Sequence, residues 1–189
     1  MRSVILVPTK FEAELVQGNI KSAPYFMVSG VLWRTAKTIE RLVQEQKVKK
    51  VVLLWFAGDL TRTHRVGEAY NICSVTNKKE ELRLKTLKGL NLKNSTCITV
   101  TRPVYTKQRK ENLKEHAELV EMECYYAAKK CKAYDIDFYS IRIISDNCDR
   151  GLSEYFNFKK VCPELRIVQE RLAEISKSLV AILSPWWYL

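Results

Sequence analysis

Acidic residues follow several apolar stretches of this sequence, and their positions suggest chemistry at one edge of a sheet. Asp146 follows the run "FYSIRII", Glu121 and Glu123 lie in "VEMEC", and Glu12 comes one turn after "SVILVP". Each acid taken alone has a structural explanation, because acids commonly cap helices or form turns after strands. Together, separated carboxyl groups suit a reaction in which one acid protonates a leaving group and another activates water.

Cleavage of an N-glycosidic bond has these requirements. A nucleobase leaves more easily when an acid protonates or hydrogen-bonds its ring nitrogen, a carboxylate can hold the ribose hydroxyls, and another can take a proton from water. Since side chains alternate along a strand, we expect Glu121 and Glu123 to share one face of an extended segment. The apolar surroundings imply that at least one of the two is partly buried and needs partners.

The elements that must position these acids alternate between strands and helices. This alternation, with several strands apolar throughout, predicts one α/β domain over residues 1–189 with a mainly parallel or mixed central sheet flanked by helices. Ligands bind outside the carboxyl ends of the strands in such sheets. The predicted strands are residues 3–8, 25–29, 50–57, 70–75, 96–101, 118–123 and 137–144, and the predicted helices follow Thr9 and span residues 33–46, 124–134 and 163–183.

Composition excludes some classes of protein. The chain of 189 residues has no apolar run of 18 or more residues, so no membrane span is expected. Its six cysteines include no C-x-x-C pair and are interpreted as reduced thiols of a cytoplasmic protein, and two histidines give little support to a zinc site. The net charge of +11 allows nucleic-acid binding as a third alternative, but no recognition motif accompanies the charge.

The last third of the chain matches a known family signature. "VEMECYYAAKKCKAYDIDFYSIRIISDNCD", residues 120–149, resembles that of the nucleoside phosphorylase superfamily, in which V-[ED]-M-E and a helix precede a strand ending in R-x-[IL]-S-D. "ILVPTKFEAELV" resembles the start of the hydrolase branch, the methylthioadenosine/S-adenosylhomocysteine nucleosidases and futalosine hydrolases. "AGDL" with "VGEAYNI" resembles the A-G-G-x…V-G-D segment. The resemblance implies a nucleoside phosphorylase-like fold, a purine or 5′-modified purine nucleoside as substrate, no cofactor or metal, and a homodimer.

The resemblance also implies roles for individual residues. Asp146 would be the general acid at the N7 side of the purine, and Ser145 would help to orient it. Glu123 would bind the ribose hydroxyls, with Met122 packing on the sugar. Glu12 would activate the attacking water.

Three further residues complete the implied site. Tyr105 falls where the family often has an aromatic residue that stacks on the base. Gly58 would allow close approach of the backbone to the ligand. Arg142 is expected to be a structural partner of a neighbouring carboxylate rather than a ligand contact.

The nucleophile separates hydrolysis from phosphorolysis. Phosphate needs arginines and glycine-rich backbone donors close to the sugar, and no glycine-rich loop follows the first strand. Glu12 would repel phosphate but could deprotonate water. Hydrolysis is therefore the expected reaction, with a purine nucleoside phosphorylase as the alternative.

A family member without catalytic activity is the other alternative. The bulky Trp55 and Phe56 precede "AGD" where the family has small residues, and Leu32 and Asp59 stand where glycines are usual. The chain is also shorter than family members between the V-G-E and V-E-M-E segments. These departures could fill the pocket and leave only a binding or structural role.

Overall fold

A computed structural model describes residues 2–8, 26–148 and 165–183 of the chain. The predicted helix after Thr9, Glu12 and Cys162 lie outside the described residues. The strands are β1 Arg2–Val7, β2 Phe26–Val28, β3 Val48–Asp59, β4 Ala69–Thr76, β5 Glu81–Arg83, β6 Lys93–Thr99, β7 Leu119–Glu121 and β8 Asp137–Asp146, and the described helices are α1 Trp33–Gln46, α2 Lys107–Lys114, α3 Cys124–Ala133 and α4 Leu165–Leu183.

The sheet is mixed, and five of its strands close into a ring. β3 pairs with β8 in parallel, β8 with β4 antiparallel, β4 with β6 and β6 with β7 in parallel, and β7 returns to β3 antiparallel. β1 and β2 extend the sheet from the first half of β3, and β5 pairs with the end of β4. Ring closure occurs at Gly58, which pairs with both Val120 of β7 and Asp146 of β8.

Helices cover the sheet on both sides because its long strands are apolar on both faces. On one side, Ile39 and Leu42 of α1 and the buried residues of α3 pack against residues such as Leu6 and Leu53. On the other side, α4 packs against the sheet residues that alternate with these, such as Ile5 and Val52. A third, smaller cluster fills the end of the ring: Leu60, Ile98, Leu113, Ala117, Val120 and Cys148.

The α/β fold with a mixed sheet, expected from the sequence, is confirmed. Two elements were missed. β5 lies in a basic segment without a clear period, and α2 is a short, strongly charged helix whose N-cap is the Thr106 side chain, which accepts the Arg109 N–H. Strand β8 continues through Asp146, two residues beyond its predicted end. Among the described helices, none has the length and apolar character needed to cross a membrane.

Candidate active site

Asp146 lies at the end of β8, directly after a bulge. Ala57 pairs with Ile144 and Gly58 with Asp146, which leaves Ser145 as the extra residue. Asp146 Oδ2 accepts a hydrogen bond from Ser145 Oγ at 2.7 Å, and Oδ1 accepts one from the Cys148 N–H at 2.7 Å. The expected contact between Ser145 and Asp146 is therefore present, and two local donors fix the orientation of the half-buried carboxyl group.

Gly58 is needed here for steric reasons. A Cβ atom on Gly58 would lie 2.2 Å from Cys148 Sγ and 3.3 Å from Asp146 Oδ1, both closer than ordinary contact. The glycine therefore allows Cys148 to pack against the end of β3 beside Asp146. The space that was expected to admit a ligand close to Gly58 is taken, at the Cβ position, by this thiol.

A second acidic group forms where β7 meets α3. Glu121 Oε2 accepts hydrogen bonds from the N–H groups of Glu123 and Cys124, each at 2.7 Å, and from Arg142 Nη2 at 2.8 Å. Its Oε1 accepts a hydrogen bond from Thr99 Oγ1. Glu121 therefore satisfies free N–H groups at the start of α3 and forms the expected ion pair with Arg142.

The expectation that Glu121 and Glu123 share one face of an extended segment is wrong. β7 ends at Glu121, and Glu123 is the N-cap residue of α3 with φ −125° and ψ −32°. The change from strand to helix within two residues ends the alternation of period two. Both carboxyl groups are nevertheless buried, at 5% and 1% exposure.

Glu123 combines deep burial with an unused oxygen. Oε1 accepts a hydrogen bond from the Leu32 N–H at 3.4 Å, whereas Oε2 has no partner among the described residues. Burial and the neighbouring charge of Glu121 raise the pKa of Glu123 to about 8, against the opposing effect of Arg142. An unpartnered buried carboxyl oxygen is costly and is therefore well suited to a ligand that brings hydrogen-bond donors.

The loop before α1 holds the donor to Glu123 in a strained conformation. Leu32 has φ 54° and ψ −134°, a region that normally requires glycine. Gly30 has φ 78°, and its carbonyl oxygen accepts a hydrogen bond from Thr35 Oγ1 at 2.6 Å. The chain thus keeps a glycine-type backbone at Leu32, the position where the resembling family has a glycine.

Arg142 carries more hydrogen-bonding capacity than its ion pair uses. Its side chain is fully buried, and Nε and Nη1 have no partner in the described parts of the chain. Two buried carboxyl groups, Glu121 and Glu123, therefore face one guanidinium with donors to spare. The cluster is arranged to hold an added polar group.

The remaining predicted residues lie in different surroundings. Met122 is half-buried in the turn between Glu121 and Glu123, and Tyr105 is half-buried in the segment before α2. Phe56 is 9% exposed in the core on the α4 side, and Trp55 stacks on it with ring centroids 5.7 Å apart. Within residues 2–8, 26–148 and 165–183, no group of three or more His, Cys, Asp or Glu side chains could hold a metal ion.

Asp59 is an organising residue that the sequence reasoning missed. It is fully buried and accepts hydrogen bonds from the N–H and Oγ1 of Thr61, each at 2.8 Å, and from the His64 N–H at 3.0 Å. Burial opposes ionisation, but the hydrogen bonds from His64 and Thr61 lower the pKa of Asp59 below its usual value. Aspartate at this position therefore shapes the loop after β3.

The sequence of this chain matches the profile of a known superfamily. The sequence profile described as "Phosphorylase superfamily" matches residues 73–181, more than half of the chain. The chain belongs to this superfamily. No curated protein matches it in a sequence comparison.

Solved structures with this fold include several nucleosidases. A mutant of the futalosine hydrolase of Helicobacter pylori matches with a TM-score of 0.78 at 16% identity, over 98% of this chain and 100% of that one. A mutant of the H. pylori nucleosidase MTAN, with 5′-methylthioadenosine in its active site, matches with a TM-score of 0.78 at 16% identity over 97% and 98%. The corresponding Campylobacter jejuni enzyme matches with a TM-score of 0.76 at 13% identity over 96% and 97%. At such identities, the likeness establishes the fold.

Proposed function

We propose that this protein is a nucleosidase that hydrolyses the N-glycosidic bond of a purine or 5′-modified purine nucleoside, of the methylthioadenosine/S-adenosylhomocysteine or futalosine type. The observation that carries the proposal is Glu123, a buried carboxyl group with one oxygen that has no partner among residues 2–8, 26–148 and 165–183. It lies three residues after Val120, which pairs with Gly58 opposite Asp146. The two acids thus belong to segments that meet at one point of β3.

In this proposal, Asp146 donates a proton to the N7 side of the purine while the bond between C1′ and N9 breaks. The bonding electrons leave with the base, and water adds to C1′ of the oxocarbenium-like sugar. Ser145 orients Asp146, and Glu123 accepts hydrogen bonds from the ribose hydroxyls beside Met122. Tyr105 stacks on the base and Glu12 takes the proton from water, both from the family resemblance.

The charges of the site favour water over phosphate as the nucleophile. Glu121 and Glu123 place two buried carboxyl groups beside one guanidinium, and Arg142 already pairs with Glu121 at 2.8 Å. An incoming phosphate dianion would find the charge of Arg142 already balanced by Glu121, and Glu123, whose pKa is about 8, brings no positive charge to compensate. The second candidate, a purine nucleoside phosphorylase, is favoured by Nε and Nη1 of Arg142, which have no partner among the described residues.

A member of the family that only binds remains the other alternative. Its support in the sequence is the bulk of Trp55 and Phe56 together with the shortened segment between V-G-E and V-E-M-E. Phe56 packs in the core with α4, away from the Glu121–Arg142 cluster. Trp55 stacks on Phe56 and packs against the same core, but it also pairs with Arg142 between β3 and β8. The bulk of Phe56 therefore does not count against the proposed site.

A base-release screen tests the function. The protein is incubated with adenosine, inosine, methylthioadenosine, S-adenosylhomocysteine and futalosine, with and without phosphate. We expect release of free base from at least one nucleoside without phosphate, and a loss of about 10²- to 10⁴-fold for Asp146→Asn. Release that requires phosphate and yields a sugar 1-phosphate supports the phosphorylase, and no release by the folded protein supports the binding role.

A homodimer is implied by the same resemblance, and a cytoplasmic location by the interpretation of the cysteines as reduced thiols. We expect a cytoplasmic homodimer. Light scattering after gel filtration measures the oligomeric state. The five described cysteines are all free, as expected for reduced thiols.

A further inference from the structure

A buried lysine supports the turn that follows Asp146. Lys110 is 3% exposed and lies on the same face of α2 as the buried Leu113. Such a position usually holds an apolar residue, and a buried ammonium is costly unless it has partners. Lys110 Nζ donates a hydrogen bond to the main-chain oxygen of Asn147, the residue directly after Asp146.

The turn itself needs support from outside. Cys148 has φ 55°, a left-handed conformation that is unfavourable for a residue with a side chain. Its N–H donates the 2.7 Å hydrogen bond to Asp146 Oδ1, and its thiol fills the space left by Gly58. The orientation of the Asp146 carboxyl group therefore depends on a turn that the local backbone does not favour.

Lys110 also brings a positive charge to a region rich in acids. The buried Cys148 thiol interacts electrostatically with Asp146, Lys110 and Asp59, so these three charges surround one position at the end of the ring. Lys110 is the cation of this group. Its ammonium thus has both a geometric and an electrostatic reason to stay in place.

We propose that Lys110 is a positioning residue for Asp146: it fixes the Asn147 carbonyl group, and thereby the turn whose Cys148 N–H holds the Asp146 carboxyl group. The expected effect of Lys110 on kcat rests on the proposed nucleosidase function, whereas its support of the turn does not. A displaced general acid loses its contribution to leaving-group departure while substrate binding is kept, so kcat should fall and KM should stay unchanged.

Leaving-group dependence separates this role from a purely structural one. We expect Lys110→Met to lower kcat on a purine nucleoside by about 10- to 100-fold, with KM within twofold. Cleavage of p-nitrophenyl riboside, whose leaving group needs no proton, should stay within about twofold. Lys110→Arg, which keeps the charge and donors, should recover part of the loss.

In the Asp146→Asn background, Lys110→Met should cause no further loss of kcat. Equal losses on both substrates, or additive losses with Asp146→Asn, would overturn the proposal.

A second measurement works without any activity. Iodoacetamide labelling of Cys148, followed by mass spectrometry, reports opening of the turn, and labelling of the buried Cys131 in α3 reports opening of the whole protein. Lys110→Met should increase the labelling rate of Cys148, relative to wild type, by a factor at least about ten times larger than the factor for Cys131, because only the turn loses its support. Equal changes at both thiols, or none, refute the role of Lys110 even if no nucleoside is cleaved. If labelling responds but the base-release screen is negative, only the proposed function fails.

Discussion

Replacing Glu123 by glutamine should change the stability of the protein by an amount that depends on pH. The pKa of Glu123 is raised from 4.5 to about 8, first by burial and then by Glu121. Between pH 4.5 and about pH 8, the folded protein therefore keeps a proton on Glu123 that the unfolded chain has released. The free energy of unfolding consequently falls as the pH rises through that interval and levels off above it.

The size of this change in stability follows from the difference between the pKa of Glu123 in the folded protein and in the unfolded chain. Each pKa unit corresponds to about 1.4 kcal/mol, so ionising the buried carboxyl group costs on the order of 5 kcal/mol of stability above pH 8. That is comparable with the whole stability of many domains. Glutamine adds a constant cost of about 1–3 kcal/mol if its amide lacks a partner, but this cost does not vary with pH.

Urea unfolding of the wild type and Glu123→Gln at pH 5, 6, 7, 8 and 9 measures the difference. We expect the stability of the variant relative to wild type to increase by about 3–5 kcal/mol between pH 5 and pH 9. Glu115→Gln, at an exposed site, is the matched control and should show no such trend. A difference between variant and wild type that stays flat across this range would refute the reasoning that Glu123 is forced to ionise in a buried site.

Three further predictions test the surrounding geometry by chemical denaturation. Gly58→Ala should destabilise the protein by about 1–3 kcal/mol through its clash with the Cys148 thiol, and Cys148→Ala should relieve much of that cost in the double variant. Leu32→Gly should be more stable than Leu32→Ala by about 1–2 kcal/mol, the reverse of the usual order, because only alanine retains the strain at φ 54°. Arg142→Met should cost about 3–5 kcal/mol by leaving Glu121 unpaired, and adding Glu121→Gln should recover part of it. Additive losses in either double variant, or alanine preferred at position 32, would contradict these explanations.

Local sequence patterns were sufficient for most of the fold. Helix α1 has its predicted bounds, and the long apolar strands β3 and β8 were found to within two residues, because side-chain periodicity and burial on both faces act within a few residues. The exceptions, β5 and α2, have short or charged sequences whose conformation depends on distant partners. β5 pairs with β4, and α2 buries Lys110 against the end of β8.

The candidate site depended more on tertiary structure. The sequence pointed to Glu123 and Asp146 through their spacing, with the expectation that parallel strands bring their ends to a common edge. β7 is in fact antiparallel to β3, and the segments that carry the two acids meet because the ring closes at Gly58.

By itself, the sequence determined most of the elements, the superfamily and the candidate acids, because these follow from residue types over short distances. Only the tertiary structure decided how the acids differ. One oxygen of Glu121 accepts hydrogen bonds from two backbone N–H groups and from Arg142, which stabilises the fold, whereas one oxygen of Glu123 has no partner in the part of the chain that the structure describes. Burial, partner count and neighbouring charge set these states, and each arises from contacts between residues far apart in the chain.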